Sequence, residues 1–146
     1  MLVFDTNVLV YAVDEDSLFH KPCRQRVSQA LDDPSPVFLS WGICYEFLRV
    51  TTHPRAPMSP WTVPQAWSYL QALLAAPGID LLSATQRHPA VLAKTLEEVP
   101  GVSGNVCHDL HTAVLMREHG ISRICTRDKD FRRFPFLTVV DPIEAH

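Results

Sequence analysis

The sequence predicts an α/β fold, a three-layer α/β/α sandwich around a central parallel sheet of four to five strands. The first observation behind this is an alternation. Apolar runs of strand length, beginning with Leu2-Val3-Phe4, are separated by longer stretches with helical spacing. Strands that alternate with helices form parallel sheets covered on both faces. The second observation is the abrupt end of the first run in Asp5-Thr6-Asn7, after which an apolar stretch resumes at once. In open α/β sheets ligands sit beyond the carboxyl ends of the strands, so this carboxylate is delivered to the usual active-site edge. Asp is also a favoured N-cap, and Asp5 alone reads equally as a cap or a functional acid. Three later acids decide between the two.

Taken in order, Val8 to Ala12 reads as a short helix and Asp14-Glu15-Asp16-Ser17 as an acidic loop. From His20 to about Asp32 the spacing is helical, with Val27, Ala30 and Leu31 as the apolar face. Asp32-Asp33-Pro34-Ser35-Pro36 stops it, since proline cannot continue a helix. Val37–Ser40 is a short buried strand, followed by a helix from about Trp41 to Thr52. His53 to Pro64 is proline-rich and reads as an ordered connector, because helix resumes directly after it. That helix, Val63 to Ala76, places Ala66, Leu70, Leu73 and Leu74 on one side and ends at Pro77-Gly78. Ile79–Leu82 is a strand. Pro89 to Val99 is a helix with its proline in the first turn, where no backbone donor is missed. After the flexible turn Pro100–Gly104, Asn105 is placed to cap a helix from Val106 to His119, with Gly120 at its end. Arg123–Thr126 and Leu137–Val140 are the last strands.

The totals narrow the class. A chain of 146 residues fits one domain, 1–146, able to bury roughly two-thirds of its unfolded surface. With 47% hydrophobic and 20% charged residues it has globular and not disordered chemistry. A net charge of −3 argues against a simple basic nucleic-acid-binding module. It does not argue against a phosphate substrate, because carboxylates that bind divalent cations invert their own local field. Cysteines 23, 44, 107 and 125 lack the spacing of a zinc site and suit a reducing compartment. No apolar run is long enough to span a bilayer, and the expected location is the cytosol.

Glu46 and Asp109 are acids on apolar faces. Glu46 lies between Ile43, Phe47 and Val50, and Asp109 shares its face with Val106, Ala113 and Met116. An inward acid is costly unless paired or bound to a cation. The bland alternatives are an edge position or a pair with Arg49 for Glu46, and support from the helix dipole for Asp109, which lies in about the first turn. Asp128 follows a strand immediately, as Asp5 does, with Asp130 beside it. Together Asp5, Glu46, Asp109 and Asp128 converge if the first and fourth strands lie close in the sheet. Such a cluster is stable only with divalent cations or shifted protonation. Oxygen ligands favour Mg²⁺ or Mn²⁺ over zinc, and Mg²⁺ bound by a few carboxylates points to phosphodiester chemistry.

The set Asp5-Thr6-Asn7, Tyr45-Glu46-Phe47-Leu48-Arg49-Val50, His108-Asp109-Leu110 and Thr126-x-Asp128-x-Asp130-Phe131 resembles the PIN domain, and within it the VapC toxins of bacterial toxin–antitoxin pairs. The resemblance takes in Thr52-His53-Pro54-Arg55, Glu118-His119-Gly120, Arg133-Phe134-Pro135 and Asp141-Pro142 as well, and so covers almost the whole chain. It implies a Mg²⁺-dependent endoribonuclease, inhibited by a small antitoxin protein and usually a homodimer. Asp5, Glu46, Asp109 and Asp128 would hold the metal, Thr6 and Asn7 would support them, and either Asp128 or Asp130 would be the main fourth acid.

The chemistry expected is hydrolysis by water activated at the metal, with Arg49, Arg55, Arg132 and Arg133 as candidates for holding the RNA backbone. Trp61, Trp67, Tyr69 and Leu70 form either core or a groove for a partner helix. His108 and His111 are placed on a partly exposed helix face. An HD-type phosphohydrolase is all-helical, a haloacid-dehalogenase-like phosphatase wants an Asp where Asn7 stands, and a receiver domain carries its acceptor on a later strand. A degenerate PIN fold that only binds RNA or protein remains as the non-enzymatic alternative.

Overall fold

In a computed structural model, residues 1–32, 35–56 and 58–144 are described. The chain runs β1 (Leu2–Phe4), α1 (Thr6–Val13), α2 (His20–Asp32), β2 (Val37–Ser40), α3 (Trp41–Thr52), α4 (Val63–Leu74), β3 (Ile79–Leu82), α5 (His88–Glu98), α6 (Val106–Glu118), β4 (Arg123–Cys125), a 3₁₀ turn over Lys129–Arg133, and β5 (Thr138–Val140). The strands form one parallel sheet in the order β3-β2-β1-β4-β5. The chain leaves β1 toward β2 and β3, then returns across β1 to lay down β4 and β5. Right-handed crossovers put α1–α4 on one face and α5 and α6 on the other, giving the expected three layers. The reversal falls between β1 and β4, where Val3 is level with Ile124 and Phe4 with Cys125. That is the point where an open α/β sheet offers a crevice at its carboxyl edge.

The caps explain how chain is aimed at that edge. Asp5 accepts from the Thr6 N–H at 2.8 Å, so α1 begins at Thr6 and not at Val8 as expected. The Ser40 hydroxyl accepts from the Ile43 N–H and starts α3 immediately after β2. Thr62 and Gln65 form a reciprocal capping box on α4. Asn105 has helical backbone angles and makes no side-chain cap. Gly120 takes the positive φ that closes α6.

Packing corrects several faces. Leu31 is exposed, and Cys23 joins Val27 and Ala30 on the buried side of α2. α4 stops at Leu74, and α5 is shifted by one residue from its expected span. The segment after β4 forms a 3₁₀ turn, with Phe131 and Phe134 both fully buried. A three-residue period brings such an i, i+3 pair to one side. Trp61, Tyr69 and Leu70 belong to the core. Leu70 is inaccessible, and Phe47 stacks on Tyr69 at 5.4 Å and meets Trp61 edge-on at 6.3 Å. Trp67 alone of that group is exposed. The helix stop expected at Asp33-Pro34 and the connector's Pro57 lie outside the described residues.

Phe47 is inaccessible and packs against the rings of both Trp61 and Tyr69. Phe47→Ala is expected to cost about 3–5 kcal/mol, read as a lower midpoint in urea unfolding with little change in slope.

Candidate active site

The ladder between β1 and β4 continues one residue past the strands. The Asp5 N–H donates to the Cys125 carbonyl at 3.0 Å, which brings Asp5 level with Thr126. Asp5 then serves both roles that the sequence left open. One carboxylate oxygen caps α1. The other accepts from the Thr126 hydroxyl at 2.8 Å and from the Asn7 amide at 3.2 Å. The Asn7 amide also reaches the Thr126 oxygen, and its own carbonyl accepts from the Arg127 N–H. Thr126 in turn accepts from the Asp128 N–H at 2.9 Å. A single hydroxyl thus ties the acid after β1 to the acid after β4.

The sequence pattern places Thr126 in the motif with Asp128 but assigns it no role in the site. The available signal was its position as the polar residue at the end of an otherwise apolar strand, where its β-branched hydroxyl turns toward the same edge as Asp5.

Asp109, Asp128 and Asp130 each bring a carboxylate oxygen within 4.8 Å of the others. Asp128 caps the 3₁₀ turn by accepting from the Asp130 N–H, and Asp130 is exposed beside Arg133 at 3.6 Å. Both alternatives for the fourth acid therefore lie against Asp109. Glu46 is half-buried and lines a small cavity with Asp5, Thr6, Ile43, Asp109 and Thr112. Arg49 makes no ion pair among the described residues, so the pair considered for Glu46 is not formed. His108 and His111 are exposed, as expected, yet both border this cavity. A Cβ on Gly42 would lie 3.1 Å from the His111 ring, so glycine gives that ring its room. Arg55 and Arg132 are exposed on the connector and the 3₁₀ turn.

The electrostatics follow from the crowding. Burial pushes the Asp5 carboxyl up to about 6, with Glu46 and Asp128 adding to the rise and hydrogen bonds from Thr126 and Thr6 opposing it. Asp109 is pushed up to about 8, first by desolvation and then by Asp128, Asp5, Asp130 and Glu46. At neutral pH the cation-free cluster relieves its repulsion by keeping a proton on Asp109.

A cavity of about 20 Å³ among these acids accommodates an ion or a water and excludes a small organic substrate. A substrate must lie across its mouth. This arrangement has counterparts. The model of the PIN domain matches residues 2–137. The chain belongs to the PIN-domain family. Within it, the chain is 32% identical to ribonuclease VapC48 of Mycobacterium tuberculosis over 142 residues, covering 97% of both chains. It is 36% identical to ribonuclease VapC37 of the same species over 136 residues, covering 92% of both. The solved structure of VapBC-1 from nontypeable Haemophilus influenzae superposes with a TM-score of 0.68 at 20% identity, covering 98% of each chain, and so shares the fold.

PIN nucleases are metal-dependent, and the donors here fit a metal. They are carboxylate oxygens with Asn and Thr groups beside them, a set that suits a hard divalent cation.

The raised Asp109 value sets a signed expectation. Below about pH 4 the carboxyl is neutral in both folded and unfolded chains. Between there and about 8 the unfolded chain has released the proton and the folded protein holds it, so stability falls as pH rises and stays lower above 8. Asp109→Asn carries no such penalty. Without metal it is expected to melt about 3 °C or more above the parent at pH 8 and no higher at pH 4. Saturating Mg²⁺ should reverse the pH 8 ranking, as measured by differential scanning calorimetry.

Proposed function

We propose that this PIN domain, spanning 1–146, is a Mg²⁺- or Mn²⁺-dependent endoribonuclease acting as the toxin of a VapBC-type toxin–antitoxin pair in the cytoplasm. The observation that carries the proposal is that Asp5, Glu46 and Asp109 line a cavity of only ion size at the sheet's reversal point, with Asp128 against Asp109. These residues would hold the cation, with Asp130 as a neighbouring acid. A divalent cation bound there would supply a nucleophilic water at neutral pH and neutralise charge on the scissile phosphate.

The protein's own groups prepare the site. Thr6, Asn7 and Thr126 fix both Asp5 oxygens, so the carboxylate needs no reorganisation when the cation arrives. Asp109, which keeps a proton up to about 8 in the cation-free site, would have to give it up to a cation, so affinity for the metal is expected to rise with pH up to about 8. Arg49, Arg55, Arg132 and Arg133 are exposed and stand as the candidate contacts to the RNA backbone, Arg133 already lying 3.6 Å from Asp130.

Support for the substrate comes from relatives that are ribonucleases VapC over nearly their whole length. The VapBC-1 structure supports an antitoxin partner. Among the described residues no helix is long and apolar enough to cross a membrane.

The decisive assay is cleavage of tRNA and rRNA by the purified, partner-free protein. Cutting is expected with Mg²⁺ or Mn²⁺, not with EDTA, and should fall at least 10²-fold in Asp5→Asn, as for loss of a transition-state electrostatic group. Matched single-stranded DNA should resist. RNA that binds without being cut would instead favour a binding module, and cutting that survives Asp5→Asn would remove Asp5 from the site.

A further inference from the structure

Arg127 stands between Thr126 and Asp128, yet it does not line the acid cavity. Its side chain engages two other segments. The ladder between β4 and β5 runs one residue past the strands, with the Thr126 N–H donating to the Val140 carbonyl at 3.0 Å, and this sets Asp141 beside Arg127. The guanidinium donates to Asp141 Oδ2 at 2.7 Å. It also lies 4.5 Å from the centre of the Phe19 ring, in the connector between α1 and α2. Both partners are themselves held. Asp141 Oδ1 accepts from the Ile143 N–H at 3.0 Å, and Phe19 meets Tyr11 of α1 edge-on at 5.1 Å. The side chains of Arg127 and Asp141 are 31% and 9% accessible, so solvent ions screen the pair only in part.

The backbone of Arg127 meets the acids through Asn7. Its N–H donates to Asn7 Oδ1 at 3.2 Å. An asparagine amide has one accepting and one donating end, so this bond turns the donating end toward Asp5 and Thr126. A reversed amide would set a carbonyl oxygen against the Asp5 carboxylate and an NH₂ group against the Arg127 N–H.

We propose that Arg127 is a positioning residue for the metal site. Its guanidinium, clamped between Phe19 and Asp141, fixes the turn whose N–H orients Asn7, and so holds the Asp5 carboxylate ready for a cation. The proposal rests on the metal-dependent function above and gives the Asp141-Pro142 segment a part in it. Two features support it. The clamp ties the end of β4 to the first turn of α1 through Asn7 and to its later part through Phe19 and Tyr11. The helix capped by Asp5 is thereby held against the strand that supplies Thr126. The partners also suit a guanidinium, which can lay its face on a ring while its edge meets a carboxylate.

The test reads the Mn²⁺ affinity of the full chain by electron paramagnetic resonance, alongside kcat and KM for RNA cleavage. Arg127→Gln is expected to weaken Mn²⁺ binding about tenfold, and to lower kcat with little change in KM for RNA. Charge alone predicts the opposite sign, because removing a cation near the acids strengthens their hold on Mn²⁺. Phe19→Leu, which removes the ring face without altering charge, should weaken Mn²⁺ binding by less. Arg127→Lys, which keeps a cation beside Phe19 and Asp141, should recover part of the loss. In an Asn7→Ala background Arg127→Gln should add nothing further, since its effect passes through that amide. A clamp that serves the fold alone lowers the melting temperature and leaves Mn²⁺ affinity where it was, and that result in Arg127→Gln and Phe19→Leu overturns the proposal. So does full additivity with Asn7→Ala. If Arg127→Gln does not fold, Phe19→Leu carries the same readout. If the parent binds Mn²⁺ and cuts no RNA, the nuclease function fails and the affinity ranking still decides the clamp. If the parent cuts RNA and the variants bind Mn²⁺ as it does, only the clamp fails. A parent that binds no Mn²⁺ overturns both.

Discussion

The acidic edge depends on one buried carboxylate being held between two neighbouring strands. Asp5 is 8% exposed, and its oxygens are engaged by a helix N-terminus, an amide and a hydroxyl. Those partners come from two distant parts of the chain. Thr6 starts α1, Asn7 sits one turn position further on, and Thr126 arrives from the far end of the chain after β4. The contact forms only because the chain crosses back over β1 before laying down β4. The same crossing brings α6 and the 3₁₀ turn to that edge, and with them Asp109, Asp128 and Asp130.

Such a concentration of acids works against folding. Like charges at short range in a partly desolvated site repel strongly, and the raised values of Asp5 and Asp109 express desolvation by burial first and that repulsion after it. The surrounding scaffold tolerates it because its stability comes from elsewhere. Phe4, Leu9, Leu39, Phe47, Ile124, Phe131 and Phe134 fill the layers on either side of the sheet with almost no exposed surface. Strain concentrated at a functional edge and offset by a well-packed core is a common division of labour in enzymes. Glu118 contrasts with the cluster. It is a buried acid that accepts from the Thr85 N–H and hydroxyl and lies 2.5 Å from His88, so its partners are fully supplied and it joins α6 to the start of α5.

Helix α3 shows how one element serves several tasks. Its Ser40 cap sets its start at the end of β2, its inward row completes the aromatic core with Trp61 and Tyr69, and Glu46 reaches the acids. The row left over is aromatic and exposed, a departure from the polar surface expected of an outward face. Glycine at position 42 leaves room for the close approach of His111 from α6, where a Cβ would lie 3.1 Å from its ring, so the start of α3 packs against the helix carrying Asp109.

The sequence by itself determined the element order, the parallel α/β class and the four acids that approach one another. Periodicity and strand-end position are local properties, and they survive folding unchanged. Boundaries moved by a residue or two, as at Thr6, where the Asp5 cap intervened, and at Leu74. Side-chain partnerships were not legible. Whether Trp61 or Trp67 lay in the core, whether Glu46 paired with Arg49, and that Thr126 would join Asp5 to Asp128 all depend on elements distant in the chain. α6 is the clearest case. Thr112 to Met116 are buried in succession, so no single apolar face distinguishes Asp109. Only the tertiary structure decided which carboxylates share a cavity and what that proximity does to their protons, because those energies vary with distances that span the whole chain and with water excluded by helices from both faces of the sheet.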